Sequence, residues 1–230
     1  MNPINHRDLG GLAVAGGNTT RRLRLLRSAA PAPGDAPPGV PYTLVIDLRC
    51  PSEYGAKRHP YSATTDIASI PLLTEAELSS AQQHSGRIDA AAWYRDVLQT
   101  HGERLAAAAQ RCIDSEGPIL VHCAAGRDRT GLLVGLLLGL ADVPHDVVEA
   151  DYLQSNRHVG QQPAGQGPII SGAHADSIRS AISVWEDAGG PAAWAIARGL
   201  TPAEIERWRE SFILQQEVES DDRHNSRANI

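Results

Sequence analysis

The 230-residue sequence has little sulfur and few large rings: three cysteines, one methionine and one phenylalanine. An odd number of widely spaced cysteines does not fit a disulfide-stapled secreted domain and favours a reducing compartment. Lysine is nearly absent too, since Lys57 is the single one and arginine supplies the other bases. The formal net charge of −6 argues against nucleic-acid binding through bulk charge, although a local group of arginines can still hold an anionic substrate.

Long apolar segments are also missing. The longest apolar run, residues 131–141, is well short of the roughly 20 residues that a membrane-spanning helix needs. The first eight residues lack the basic and apolar regions of a signal peptide, so a cytoplasmic protein is expected. The length predicts one domain over residues 1–218, followed by a polar, disordered tail at 219–230.

Short apolar runs alternate with stretches of helical periodicity. Strands are predicted at residues 23–26, 44–48, 67–72 and 118–121. Helices are predicted at residues 88–113, with a possible break at Gly102, and at 130–141, 144–159, 173–188 and 201–218. Residues 161–167 are predicted to form a loop or lid. This mixture predicts an α/β fold with a central, mostly parallel β-sheet flanked by helices.

Residues 122–131 read His-Cys-Ala-Ala-Gly-Arg-Asp-Arg-Thr-Gly and place a cysteine and an arginine at the two ends of a short loop. A predicted strand precedes the loop and an apolar helix follows it. The N–H groups of such a loop and of the helix N-terminus favour an anion at one point, and the same field favours the thiolate of Cys123. The guanidinium of Arg129 suits two phosphate oxygens. The segment therefore predicts a phosphatase that works through a phosphocysteine intermediate.

This segment resembles the active-site loop of protein tyrosine phosphatases, and most closely the atypical bacterial branch (tyrosine phosphatase B-like) with an aspartate just before the loop arginine. Residues 5–11 (Asn-His-Arg-Asp-Leu-Gly-Gly), 26–29, 45–49 and 151–156 are similar to further motifs of that branch, in the same order. The resemblance implies a phosphotyrosine-phosphatase-like fold. It also implies metal-independent hydrolysis of phosphotyrosine and, in some members, of phosphoinositides, with no cofactor.

Roles follow for the residues of the motif. Cys123 is the expected nucleophile and Arg129 the expected ligand of the equatorial phosphate oxygens. His122 is expected to be structural, with its ring bonded to the backbone. The expected phosphate-binding residues are Ala124, Ala125, Gly126, Arg127, Asp128, Arg129 and Thr130. Gly126 is expected to permit unusual backbone dihedrals, and the resemblance implies that the Thr130 hydroxyl helps the thiolate to leave in the second step.

The leaving oxygen needs a proton from a general acid, and the sequence has no Trp-Pro-Asp segment to supply it. The candidates, in order, are Asp128, Asp47, and the pair Asp89 and Asp96. Asp128 lies in the loop, and its alternative role is a carboxylate that orders the loop. Asp47 ends an apolar strand, and its alternative role is a salt bridge to Arg49 or Arg27.

Arg127 stands where the family usually has a lysine. It is expected either to bind a second negative group of the substrate or to be a solvated cation that acts on Cys123. Cys50 follows the second predicted strand. Its position resembles that of a cysteine in related lipid phosphatases that can form a reversible disulfide with the nucleophile, which here would be Cys123. The alternative is that Cys50 is a lone thiol. Cys112 is expected in the core.

The sequence is compatible with several classes of substrate. A phosphotyrosine protein, a phosphoinositide, or a small-molecule phosphate such as a nucleoside, sugar or inositol phosphate would each fit. An inactive phosphate-binding module is a second class of function, disfavoured by the intact Cys123 and Arg129. A rhodanese-type sulfurtransferase is a third, disfavoured by the Arg-Thr-Gly ending of the loop. Oligomeric state is not predicted.

Overall fold

A computed structural model of the chain describes residues 3–32, 35, 39–84, 88–158 and 173–215. The strands are β1 Arg7–Asp8, β2 Thr19–Thr20, β3 Leu25–Ala29, β4 Leu44–Asp47, β5 Asp66–Ser69, β6 Ile119–Cys123 and β7 Ile213–Leu214. Five of them form one sheet in the order β1-β3-β6-β4-β5, in which only β1 runs antiparallel to its neighbour. β2 and β7 form a separate antiparallel pair. The predicted α/β fold with a mostly parallel sheet is confirmed.

The helices surround this sheet. They are α1 Glu75–Gln83, α2 Ala90–Thr100, α3 Gly102–Ile113, α4 Asp128–Leu140, α5 His145–Gln154, α6 Ala175–Asp187, α7 Pro191–Ile196 and α8 Pro202–Phe212. Thr201 caps α8 as its sequence predicts, because its side chain accepts the N–H of Glu204 while Glu204 accepts the N–H of Thr201. In the described residues no helix is long and apolar enough to cross a membrane.

Helix α4 is the centre of the core. Its side chains from Leu132 to Leu138 are buried on every side, as its uninterrupted apolar sequence predicts. It packs against β6 on one side and against α3, α5, α6 and α7 around it. The indole N–H of Trp208 donates to the carbonyl of Leu137 (2.8 Å). α4 is therefore surrounded on all sides, and Trp208 anchors it near its C-terminal end.

Several predicted boundaries are wrong. The helix predicted over 88–113 begins later, at Ala90, and its possible break near Gly102 is confirmed, since α2 ends at Thr100 and α3 begins at Gly102. A Cβ on Gly102 would lie 2.4 Å from the Arg198 side chain, so that side chain would have to move for any larger residue. The predicted strand at 67–72 ends at Ser69. The helix predicted over 144–159 ends at Gln154 and continues as a 3₁₀ turn. The predicted lid at 161–167 and tail at 219–230 lie outside the described residues.

Candidate active site

The cysteine loop, defined here as residues 123–129, joins the central strand β6 to α4. β6 ends at Cys123 and α4 begins at Asp128, so the predicted strand–loop–helix arrangement is confirmed. β6 lies between β3 and β4 and runs parallel to both, and the carboxyl ends of such strands are the usual place for a ligand. The first N–H groups of α4 lack intrahelical acceptors and carry the positive end of the helix dipole. The loop thus offers an anion site.

Gly126 has the backbone conformation expected from the motif, with φ of 64°. A Cβ at this position would lie 2.1 Å from the carbonyl oxygen of Ser28 on β3. Both the dihedral and the close approach therefore require glycine. The consequence is that the loop packs directly on the backbone of the neighbouring strand.

The carbonyl groups of the loop are held from outside. The Asn5 side-chain amide donates to the carbonyls of Gly126 (2.8 Å) and Ala125 (3.3 Å), and Arg27 donates to the same Gly126 carbonyl (2.9 Å). In a trans peptide the N–H points opposite to the C=O. Fixing these carbonyls outward turns the N–H groups of Gly126 and Arg127 towards the interior of the loop, where an anion would be bound.

A buried carboxylate, Asp151 of α5, fixes these anchors. It binds Arg27 (Nη1 to Oδ2, 2.6 Å) and Arg7 (Nε to Oδ1, 2.6 Å), while Arg7 also donates to the Asn5 side chain. Burial would raise the pKa of Asp151, but the two arginines outweigh burial and lower it. Burial and the neighbouring Arg27 lower the pKa of Arg7 to about 10. The motifs at 5–11 and 151–156 therefore support the loop from outside.

Arg129 is buried and held by Glu53, a partner that the sequence analysis missed. Nη1 and Nη2 donate to the two Glu53 oxygens (2.6 and 2.7 Å), and Nη1 also donates to the Leu48 carbonyl (3.3 Å). The Nε–H has no partner among the described residues. This leaves the Nε–H and one Nη2–H on the same edge of the guanidinium, which is the geometry for two phosphate oxygens. Burial would lower the pKa of Arg129, but Glu53 and Cys123 raise it.

Asp128 sits in a hydrogen-bonded cluster under the loop. Arg127 donates to both carboxylate oxygens (3.1 and 3.2 Å), and the Tyr94 hydroxyl of α2 lies 3.2 Å from Oδ1. The hydroxyls of Tyr94 and Tyr152 are 2.8 Å apart. Burial raises the pKa of Tyr94 well above its usual value, so Tyr94 remains a neutral donor. Arg127 is only 3% exposed, so the expectation of a solvated cation is wrong.

Asp47 forms the salt bridge given above as its alternative role. The Arg49 guanidinium binds both carboxylate oxygens, with Nε to Oδ1 at 2.9 Å and Nη2 to Oδ2 at 2.7 Å. Burial raises the pKa of Asp47, but His122 and Arg49 outweigh burial and lower it to about 2. Arg27, the other partner considered, binds Asp151 instead. Asp47 therefore keeps its negative charge near neutral pH.

Asp89 and Asp96 have no hydrogen bond or ion pair with the cysteine loop among the described contacts. Both are exposed on or next to α2, and Asp89 caps that helix by accepting the N–H of Ala92 (3.1 Å). They border a shallow depression beside Trp93. Tyr94, on the buried face of the same helix, is the residue that reaches the Asp128 carboxylate.

Asp47, His59 and His122 are the group of described residues whose side-chain atoms gather closely enough to suggest a metal ion, within 4.8 Å of one another. Their hydrogen bonds argue against one. The Tyr61 N–H donates to Nδ1 of His59 (3.1 Å), so the neutral ring carries its proton on Nε2, which faces Nε2 of His122 at 3.0 Å. A metal would need that nitrogen without its proton. Burial lowers the pKa of His59 to about 4, and burial also lowers the pKa of His122.

The two rings thus form a chain of hydrogen bonds that ends at the loop. Nδ1 of His122 lies 3.3 Å from the carbonyl oxygen of Cys123, and the ring is completely buried. The predicted structural role of His122, bonded to the backbone next to the cysteine, is confirmed. His59, which orients His122 from the loop after β4, was not identified from the sequence.

The three cysteines are buried and unpaired. Cys112 lies in the core on α3, as predicted. The Cys50 thiol donates to the Leu73 carbonyl (3.3 Å), and burial together with Glu53 raises its pKa to about 11. Cys50 therefore stays protonated at neutral pH, and a reversible Cys50–Cys123 disulfide remains a prediction.

A cysteine at the end of a central parallel strand, a glycine-dependent loop and an arginine at the start of the next helix define the class of cysteine-loop phosphatases. Comparison with known sequences agrees with this class. A sequence model described as the tyrosine phosphatase family matches residues 2–214. The chain belongs to the tyrosine phosphatase family.

Three curated proteins are similar to the chain. A "Putative tyrosine-protein phosphatase" of Cupriavidus necator is 31% identical over 169 residues, which are 68% of this chain and 62% of that protein. The "Triple specificity protein phosphatase PtpB" of Mycobacterium tuberculosis is 47% identical over 53 residues, or 23% of this chain and 19% of PtpB. A tyrosine-protein phosphatase of Nostoc commune is 46% identical over 48 residues, or 21% of this chain and 16% of its own length. The matches thus span less than two-thirds of each of these relatives.

Proposed function

We propose that the chain hydrolyses phosphate monoesters through a phosphocysteine intermediate. The Cys123 thiolate attacks phosphorus, the bond from phosphorus to the leaving oxygen breaks, and a general acid protonates that oxygen. Water then attacks the phosphocysteine, the acid residue takes up a proton from that water, and phosphate and the thiolate are released. The observation that carries the proposal is the free edge of Arg129, held by Glu53 beside the start of α4. Its two donors suit the equatorial oxygens of the phosphoryl group in transit.

The other groups proposed to bind the phosphate are residues of the motif. The residues are Ala124, Ala125, Gly126, Arg127, Asp128, Arg129 and Thr130. The N–H groups of Gly126 and Arg127 are directed inward by the anchored carbonyls. The Thr130 hydroxyl is buried without a partner among the described residues, which leaves it available to stabilise the departing thiolate.

We propose Asp128 as the general acid ahead of Asp47. The pKa of Asp47 is lowered to about 2 and its two oxygens are held by Arg49, so it carries no proton to donate near neutral pH. Asp128 lies in the loop itself, next to Arg129. Arg127 binds both Asp128 oxygens, and the phosphate oxygens of a bound substrate would compete for Arg127, which would leave the Asp128 carboxyl available to the leaving oxygen.

Phosphotyrosine is the proposed substrate group, supported by membership of the family and by the names of the relatives. A small-molecule phosphate is the second candidate, favoured by a pocket of about 600 Å³ beside the loop. A reducing, cytoplasmic setting is proposed because the three cysteines are unpaired.

Phosphate release tests the proposal. Wild type and Cys123→Ser are assayed in EDTA with a phosphotyrosine peptide, a phosphoserine peptide, phosphoinositides and nucleoside monophosphates, and with thiosulfate and cyanide for sulfurtransfer. Turnover that Cys123→Ser abolishes supports the proposal, and ³²P trapped on acid-quenched wild type identifies the phosphocysteine. Thiocyanate formation, or phosphate release that survives Cys123→Ser, would overturn it.

A further inference from the structure

A pocket of about 600 Å³ opens at the carboxyl ends of β4 and β5, and the residues that line it separate it from the cysteine loop by one layer. Its walls include residues bonded to that loop or paired with its strand. Glu53 holds Arg129, Asp47 pairs in register with His122, and Pro31 follows Ala30, whose N–H donates to the carbonyl of Ala124 (3.0 Å). These contacts make the pocket a neighbour of the loop and the nearest described cavity for a group attached to a phosphate there.

The charges that line the pocket do not cancel. Asp47 is paired with Arg49, and Glu53 is paired with the buried Arg129. Lys57 and Arg58 line the same pocket, are exposed, and form no ion pair within the described ranges. Two positive charges thus remain uncompensated at the rim of a half-enclosed pocket, although the whole chain carries a net charge of −6.

We propose that the pocket bounded by Arg49, Lys57 and Arg58 binds a second anionic group, a carboxylate or phosphate, on the leaving group of a small phosphomonoester substrate. This inference rests on the proposed function and names the substrate class for the same site. Unpaired cations at the rim of a cleft attract an anion and orient it. The Tyr54 ring lies under the Arg49 guanidinium at 5.2 Å, which holds that wall of the pocket in place.

The proposed binding site for the second anion differs from the site expected from the sequence. Binding of a second negative group was one of the two roles expected for Arg127, but Arg127 is buried and both donors described above face Asp128. No local sequence pattern links Lys57 and Arg58 to the loop. Their place in the fold, where the turn after β4 meets the sheet edge, brings them to the substrate side.

A matched pair of substrates tests the proposal. The first is 4-carboxyphenyl phosphate and the second is 4-carbamoylphenyl phosphate, which has nearly the same shape but lacks one negative charge; the 3-substituted pair scans the position. The quantity compared is the ratio of kcat/KM for the carboxylate over the carboxamide, in wild type and in the variants. For one added charge facing two exposed cations we expect the ratio to be about fivefold higher in wild type than in Lys57→Ala/Arg58→Ala.

Two further variants sharpen the result. Lys57→Glu/Arg58→Glu should reverse the preference in favour of the carboxamide, and Arg95→Ala, an exposed arginine of α2 outside this pocket, should leave the wild-type ratio. Raising the salt should reduce the wild-type ratio and not that of the double alanine variant. If both pairs give the same ratio in wild type and in the double alanine variant, the pocket proposal is overturned while hydrolysis itself stands. If wild type turns over neither compound nor any phosphate ester, the proposed function fails instead.

Discussion

Replacing Asp151 by asparagine should destabilise the protein more than any exposed substitution. Asp151 is 2% exposed and binds two arginines, Arg7 and Arg27, each at 2.6 Å. Asparagine keeps the shape but removes the charge, so two guanidiniums remain without a counter-charge below the protein surface. Breaking a buried pair in this way costs about 3–5 kcal/mol. For a domain of this size the same cost corresponds to a fall in Tm of roughly 6–20 °C.

Urea unfolding followed by far-UV circular dichroism measures this change, with Asp146→Asn as the control. Asp146 is an exposed carboxylate in the first turn of the same helix, so its loss should cost only about 0.5 kcal/mol. Because Arg27 also holds the Gly126 carbonyl, Asp151→Asn should weaken inhibition by vanadate as well. A loss of stability below about 1 kcal/mol would refute the idea that Asp151 is the charge partner on which the loop anchors depend.

Three further predictions concern the site. Tyr94→Phe should lower kcat about tenfold for phenyl phosphate, because its leaving group needs a proton, and much less for p-nitrophenyl phosphate, because its leaving group does not. Equal losses on the two substrates would refute a role of Tyr94 in proton transfer by Asp128. Gly126→Ala should lower kcat/KM about a hundredfold, because its Cβ would displace the loop from β3, and an unchanged kcat/KM would contradict this packing. The pKa of Asp47 is lowered to about 2 and that of Asp151 is lowered too. Both carboxylates therefore stabilise the fold at any pH above their ordinary pKa of about 3.9, and this stabilisation is lost as the pH falls from that value towards 2. The urea concentration at the unfolding midpoint should fall over that pH range, and it should fall less steeply in Asp47→Asn.

Much of the fold could be predicted because its signals are local. The central helix α4 is apolar on every side, and the strand before the loop is short and apolar, so periodicity alone places both. The break at Gly102 shows the limit of this approach. A glycine in a helical pattern is ambiguous until the side chains of Arg198 and Trp194 occupy the space that a Cβ would need, and those residues are far away in sequence.

The site divides in the same way. Cys123, Gly126 and Arg129 lie within a single motif whose spacing carries its chemistry. The residues that hold them in place lie outside this motif. Glu53 binds Arg129 from 76 residues away in sequence, and Asn5 binds Gly126 from 121 residues away. No local pattern distinguishes Glu53 from the other acids of the chain. The resemblance at residues 5–11 indicated that this segment matters, but only the fold shows that the Asn5 amide holds carbonyls of the loop while the Arg7 guanidinium binds Asp151 and Asn5.

The charges around the loop indicate how an acidic chain would bind the phosphate of the proposed substrate. The buried arginines next to the loop already have their own carboxylates: Arg129 has Glu53, Arg127 has Asp128, and Arg49 has Asp47. Binding in the loop must therefore depend on directed donors, namely the peptide N–H groups and the free edge of Arg129, more than on net charge. Lys57 and Arg58, by contrast, act as exposed charges. Salt should consequently weaken recognition of a second anion in the pocket much more than it weakens binding of the phosphoryl group itself, because screening acts on exposed charges and spares buried hydrogen bonds.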